Sequence, residues 1–152
     1  MTRWPISVNL KKASNSNFNK FLPPENKMYE IKIKADFAAA HSLREVGGKC
    51  ESLHGHNFAV EVAVESEGLD ERGIVMDFRL LKAQTQAVLD TLDHRHLNEL
   101  PVFKETNPSS ENLAAYIFAE LVRQMDQGSR RLSWVSVWES ETSQATYRRP
   151  GR

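Results

Sequence analysis

The chain has 152 residues, 20 Lys+Arg balanced by 20 Asp+Glu, 40% hydrophobic residues and one cysteine. That length fits one domain with a real core, but a small one for enclosing a substrate, so a deep pocket calls for a second subunit. The zero formal charge offers no general field to DNA, RNA or an anionic membrane, and Cys50 has no second cysteine in the chain to pair with. No apolar run approaches the roughly 20 residues that span a bilayer, and the first ten residues lack the continuous apolar stretch of a secretory signal. The expectation is a soluble cytoplasmic protein without nucleic-acid or membrane partners.

Residues 1–27 are rich in Asn and Ser, contain Pro23-Pro24 and show no helical or strand period, so they read as a flexible arm before a single domain at 28–152. From Tyr29, Ile31, Ile33, Phe37 and Ala39 alternate with Glu30, Lys32, Lys34 and Asp36, which predicts a strand with one buried face. Phe58, Val60, Val62 and Val64 predict a second strand, paired antiparallel with the first. A short strand is also expected at 74–77. Asp77 can cap a helix over 78–92, with Phe78, Leu81, Val88 and Leu92 as its apolar stripe. After a loop at 101–108, Ser109 or Ser110 caps a second helix that buries Leu113, Ile117 and Leu121 and ends before Gly128. Residues 132–139 predict the last long strand, with a partner at 144–148. The layout is α+β, a four-stranded antiparallel sheet with two helices on one face, and its open edges are templates for assembly.

Histidines carry the chemistry. His54 and His56 share parity with the apolar Phe58–Val64 series, and His41 shares parity with Ile33, Phe37 and Ala39, so three imidazoles project to one covered side if both strands extend to them. Three neutral imidazoles suit Zn²⁺ and leave an open fourth position, as catalytic zinc sites do. Cys50 reads as a small buried apolar residue, a fourth ligand closing a structural zinc site, or a base beside the metal; spacing leaves all three open. Asp93 adjacent to His94 can orient an imidazole for proton transfer. His94 and His96 after a helix point apart, which disfavours a second metal. Glu139 shares parity with Val135 and Val137, so its carboxylate faces the covered side and needs a partner, which a ligand with two adjacent N–H donors would supply.

Several motifs in one order resemble the 6-pyruvoyltetrahydropterin synthase and 6-carboxytetrahydropterin synthase family of tunnelling-fold proteins. They are Phe37-Ala38-Ala39-Ala40-His41, Cys50-Glu51-Ser52-Leu53-His54-Gly55-His56-Asn57, Val75-Met76-Asp77-Phe78, Leu92-Asp93-His94 with Leu97-Asn98, Pro108-Ser109-Ser110-Glu111-Asn112, and Val137-Trp138-Glu139. The resemblance covers about residues 28 to 148. It implies zinc on His41, His54 and His56, Cys50 as catalytic base, and Asp93 and His94 as a proton relay. It implies that Glu139 anchors a pterin, with Ser109, Ser110 and Glu111 lining the same pocket, and that trimers close a barrel and stack into a homohexamer with active sites between subunits. The Cys50-x-x-x-His54 spacing resembles the bacterial queuosine-pathway 6-carboxytetrahydropterin synthases, which convert 7,8-dihydroneopterin triphosphate and release triphosphate and acetaldehyde. Glu51 is similar to a residue of the folate-type branch, which makes 6-hydroxymethyl-7,8-dihydropterin. Lys34, Lys49, Arg79 and Lys82 are candidate partners for the triphosphate. The alternative outside enzymology is an oligomeric protein whose zinc, closed by Cys50, is structural.

Overall fold

The computed structural model describes residues 28–150, so the expected arm at 1–27 lies outside the described residues. Alternation builds two long strands, β1 (Tyr29–His41) and β2 (His54–Ser66), which pair antiparallel from Tyr29 opposite Ser66 to His41 opposite His54 without a break. Then follow α1 (Phe78–Leu89), β3 (Arg95–His96), α2 (Ser110–Met125), β4 (Arg130–Ser140) and β5 (Ser143–Arg148). The sheet order is β3-β1-β2-β4-β5, antiparallel throughout except for β3 beside β1.

Both helices cover one face of this sheet, α1 over β1 and α2 over β4 and β5. Phe58, Val60, Val62, Val64, Val135 and Val137 supply the sheet's side of the core and are fully buried beneath Leu81, Leu89, Leu113, Ile117 and Leu121. Each such side chain contributes about 1.5–3 kcal/mol relative to exposure, which is what holds the strands in register. The other face carries Lys32 and Lys34, whose ammonium groups lie 3.2 and 3.1 Å from the buried Glu61 carboxylate. Burial raises the Glu61 pKa, but the hydrogen bonds and charges of Lys34 and Lys32 outweigh it and the net shift is downward.

Three expectations need correction. The sheet has five strands, not four, because the turn at His94 (φ 55°) bonds back to Ala38 and lays Arg95 and His96 parallel to Ala39 and Ala40. Two residues are too few to show a period. The strand expected at 74–77 is absent: Asp70 accepts from the amides of Arg72 and Ile74 and turns the chain there. The first helix stops at Leu89, where the Thr91 hydroxyl donates to the Val88 carbonyl, and its buried stripe is Leu81, Thr85, Val88 and Leu89, with Phe78 exposed. The second ends at Met125, before Gly128 as expected, and Asp126 then accepts from the Leu132 amide. No helix among the described residues is long and apolar enough to cross a membrane.

Asp77 caps α1 by accepting from the Arg79 amide at 2.8 Å, and the Arg79 guanidinium closes on the same carboxylate at 2.7 Å. The Arg79 side chain first, then its amide, hold this carboxyl down to about 2, from an ordinary 3.8. A depressed carboxyl stabilises the fold above its unfolded pKa and loses that contribution as pH falls through its folded one. Thermal midpoints measured from pH 3.8 down to about 2 should therefore fall more steeply for the wild type than for Asp77→Asn, and the difference should shrink in high salt.

Candidate metal centre

The β1–β2 register brings the three histidines together. His41 closes β1 opposite His54, and Ala39 stands opposite His56, so all three imidazoles emerge on the helix-covered face at one end of the sheet. The strands do extend to them, and the register shift between β2 and β4 lies opposite Ala63 and Val64, where Ser133 of β4 is the extra residue, well away from this end. One nitrogen from each ring lies within 4.8 Å of the others. Phe58 stands edge-on to His41 and tilts against His56, with ring centroids 5.4 and 5.3 Å away, and closes the apolar side.

Hydrogen bonds decide which nitrogens are free. The Nδ1 of His41 lies 2.7 Å from the Pro108 carbonyl, and the Nδ1 of His54 lies 2.7 Å from the Ser52 carbonyl. A carbonyl only accepts, so each Nδ1 carries the proton and each Nε2 keeps its lone pair. The Nε2 atoms of His41 and His56 are buried with no hydrogen-bond partner, a costly state for polar atoms and the one expected of ligands turned toward a cation. Burial pushes the His41 pKa down against the pull of the Pro108 carbonyl, and His54 and His56 push the same way, which favours the neutral form that a metal requires. The donor set therefore fits a divalent metal. Cys50 is not part of the cluster, so the closed four-ligand site does not form here.

Glu139 borders the triad. Its Oε1 lies 3.5 Å from the His56 Nε2, and its Oε2 accepts from the Ser110 hydroxyl at 3.3 Å. Ser109 caps α2 by accepting from the Asn112 amide, which places the positive end of the helix near this carboxylate. Glu111 is in the same first turn but exposed, and its side chain has no hydrogen bond among the described residues.

Cys50 sits exposed on a short 3-10 turn, Gly48–Glu51, in the loop between β1 and β2. Gly47 (φ 76°) and Gly48 (φ 74°) make the reversal, and the Gly47 amide donates to the Glu51 carboxylate at 2.9 Å. The Asp93–His94 pair is anchored elsewhere, on β1. The Ala38 amide donates to Asp93 Oδ1 at 2.8 Å, the His94 amide donates to the Ala38 carbonyl, and His94 Nδ1 meets Asp93 Oδ2 at 2.8 Å. The Ala38 amide first, then the His94 side chain, lower the Asp93 pKa, so the carboxylate stays charged. The His94 ring is 80% exposed and lines an open cleft of ≈530 Å³ with Gly55, His56 and Asn57. Within one chain no hydrogen bond joins Cys50 to Asp93 or His94.

A family model described as 6-pyruvoyl tetrahydropterin synthase matches residues 30–150. The chain belongs to this family. Among curated members, it is 41% identical over 128 residues to a 6-carboxy-5,6,7,8-tetrahydropterin synthase of Synechocystis sp., covering 81% of this chain and 95% of that one. It is also 41% identical over 109 residues to a dihydroneopterin monophosphate aldolase of Pyrococcus furiosus, covering 72% of this chain and 88% of the relative. The solved 6-pyruvoyl tetrahydropterin synthase of Caenorhabditis elegans superposes with a TM-score of 0.73 at 32% identity, over 82% of this chain and 97% of that one.

For this member of the 6-pyruvoyl tetrahydropterin synthase family, sequence reasoning missed the supports of the site. Asn98 accepts from the Ser42 amide and donates to the Ser42 carbonyl, both at 2.8 Å, and Asn107 makes the same pair of bonds to Arg44. These amides stand in for a neighbouring strand beyond the end of β1. Of the cations considered for triphosphate, Lys34 and Arg79 are paired with Glu61 and Asp77, while Lys49 and Lys82 form no ion pair among the described residues. Titration with Co²⁺ as a coloured probe should show one site per chain with a low-coordinate visible spectrum, and His41→Ala or His56→Ala should remove that spectrum.

Proposed function

We propose that this chain is a zinc-dependent 6-carboxy-5,6,7,8-tetrahydropterin synthase of the queuosine route, acting on 7,8-dihydroneopterin triphosphate and releasing triphosphate and acetaldehyde. The observation that carries the reading is the triad, with two Nδ1 atoms committed to carbonyls and two buried Nε2 atoms unpartnered, beside a carboxylate on β4. The Synechocystis relative's name supports the product.

When bound, Zn²⁺ would supply Lewis-acid polarisation of the substrate's side-chain oxygens, which makes the neighbouring C–H bonds more acidic. Glu139 accepts two N–H groups from the amino-pyrimidinone edge of the pterin, held in place by the Ser110 hydroxyl at 3.3 Å. Ser109 and Glu111 line the same pocket at the start of α2. Cys50 takes the proton, and the exposed loop gives its thiol access to a bound side chain. Asp93 fixes the His94 ring through Nδ1 and leaves Nε2 to pass a proton. Cys50 and the Asp93–His94 pair are separate in one chain, and β3 and β5 end the sheet as open edges, which supports a pocket completed by a neighbouring copy in a barrel of trimers and a homohexamer. The compartment is the cytoplasm.

Incubation with 7,8-dihydroneopterin triphosphate should yield 6-carboxytetrahydropterin and acetaldehyde, resolved by chromatography and aldehyde trapping. Cys50→Ala should retain metal and assembly while turnover falls by about 10²–10⁴-fold; full activity in that variant removes Cys50 from the mechanism.

A second reading has its own support. Glu51 follows Cys50 directly, and the Pyrococcus furiosus relative is named as an aldolase of dihydroneopterin monophosphate. On this reading the chain makes 6-hydroxymethyl-7,8-dihydropterin with Glu51 in a proton-transfer role. Glu51→Gln should then suppress that product selectively; if both products persist unchanged, Glu51 serves only the Gly47 amide that it accepts from here.

A further inference from the structure

The loop that carries Cys50 and the loop that starts α2 are joined by two side chains, those of Arg44 and Asn107. The Arg44 guanidinium donates to three backbone carbonyls: Nη1 to Lys104 at 2.6 Å, and Nη2 to Phe103 at 2.9 Å and Thr106 at 3.0 Å. Phe103 and Lys104 end a short 3-10 turn, Pro101–Phe103, whose last carbonyls have no partner of their own kind. The Arg44 backbone is held as well, its amide donating to Asn107 Oδ1 and its carbonyl accepting from Asn107 Nδ2. Asn112, in the first turn of α2, donates to the Asn107 carbonyl at 2.8 Å. The next residue, Pro108, offers the carbonyl that accepts from His41 Nδ1, and Ser109 and Ser110 follow it.

Residues 41 to 44 are thus tied one after another. His41 is held through its ring, Ser42 by Asn98, Leu43 by donating its amide to the Cys50 carbonyl, and Arg44 by Asn107 and its own guanidinium. Four consecutive residues reach both the metal ligand and the loop of Cys50. A planar fork with fixed donors can hold three carbonyls at once; an ammonium on a flexible stem cannot hold them in the same arrangement.

We infer that Arg44 is a positioning residue for the metal centre, clasping the 103–108 loop so that the Pro108 carbonyl orients His41 and the α2 N-terminus meets Glu139. This rests on reading the triad as a zinc site. Arg44 touches neither the metal ligands' free nitrogens nor a substrate; it acts through Pro108.

The test is zinc affinity by competition with a chromophoric chelator, alongside thermal midpoints of the metal-free proteins. Controls are His41→Ala and Arg130→Ala. Arg130 also spends its guanidinium on local structure, donating to the Met125 carbonyl at 2.9 Å and the Gln127 side chain at 2.9 Å, at the opposite end of β4. Arg44→Ala should bind zinc about tenfold or more weakly, within the range seen when the groups orienting a ligand are removed. Arg44→Lys should recover part of that loss, and Arg130→Ala should keep wild-type affinity even where its thermal midpoint drops. Wild-type affinity in Arg44→Ala overturns the inference and leaves the metal reading standing. An equal loss in Arg130→Ala also overturns it, since the effect would then be general destabilisation. If zinc binds the wild type and His41→Ala alike, the metal reading falls and this inference falls with it. Should Arg44→Ala fail to fold by circular dichroism, Arg44→Lys carries the same comparison, and unchanged affinity there overturns the inference.

Discussion

The antiparallel register that sets His41 against His54 is the constraint on which the site depends. A slip of one residue would send an imidazole to the opposite face of the sheet, because side chains alternate with a period of two. Nothing in the histidines themselves prevents that slip. The apolar parity of both strands does, with Phe37 stacked on Phe58 at 5.0 Å and Val60, Val62 and Val64 fully buried behind them. Moving the register would bring Lys32, Lys34 and Asp36 under the helices, at a desolvation cost far above any local gain. The hydrophobic core therefore fixes how the three imidazoles face one another.

The second layer of control comes from α2. Its N-terminus delivers three features from consecutive residues: the Pro108 carbonyl on His41, the Ser109 cap, and the Ser110 hydroxyl on Glu139. The helix dipole favours a carboxylate at this end, and Glu139 already has the parity to face it. One helix start thus sets the tautomer of the His41 imidazole and the orientation of an acidic group on a strand. Burying Leu113, Ala114, Ile117 and Leu121 against the sheet is what holds that helix start in place.

The candidate chemical groups gather at the same end of the sheet but on separate supports. The triad rides on strand ends, Cys50 on an exposed loop, and the Asp93–His94 pair on the edge of β1 through Ala38. Rigid strands hold the groups whose spacing must be fixed, and a loop presents the thiol. No hydrogen bond joins Cys50 to His94 within one chain, and the sheet ends in open edges at β3 and β5.

How much of this the sequence carried depends on the range of the interaction. Parity along Tyr29–His41 and His54–Ser66 was enough to align the three histidines, because strand geometry propagates a local pattern over thirteen residues. The same holds for the Asp77 and Ser109 caps and for the buried face of α2. The fifth strand was beyond reach, since Arg95 and His96 are strand only because His94 turns back onto Ala38. Also beyond reach were the bond from His41 to a carbonyl 67 residues away and the Arg44 clasp on carbonyls about sixty residues along, at separations of 59, 60 and 62. Backbone carbonyls are identical in every sequence, so no residue type marks the one that will accept such a bond. The amino-acid sequence by itself determined which side chains share a face; only the tertiary structure decided that His41 commits Nδ1 to Pro108 and leaves Nε2 free, because that carbonyl is brought in through the packing of α2.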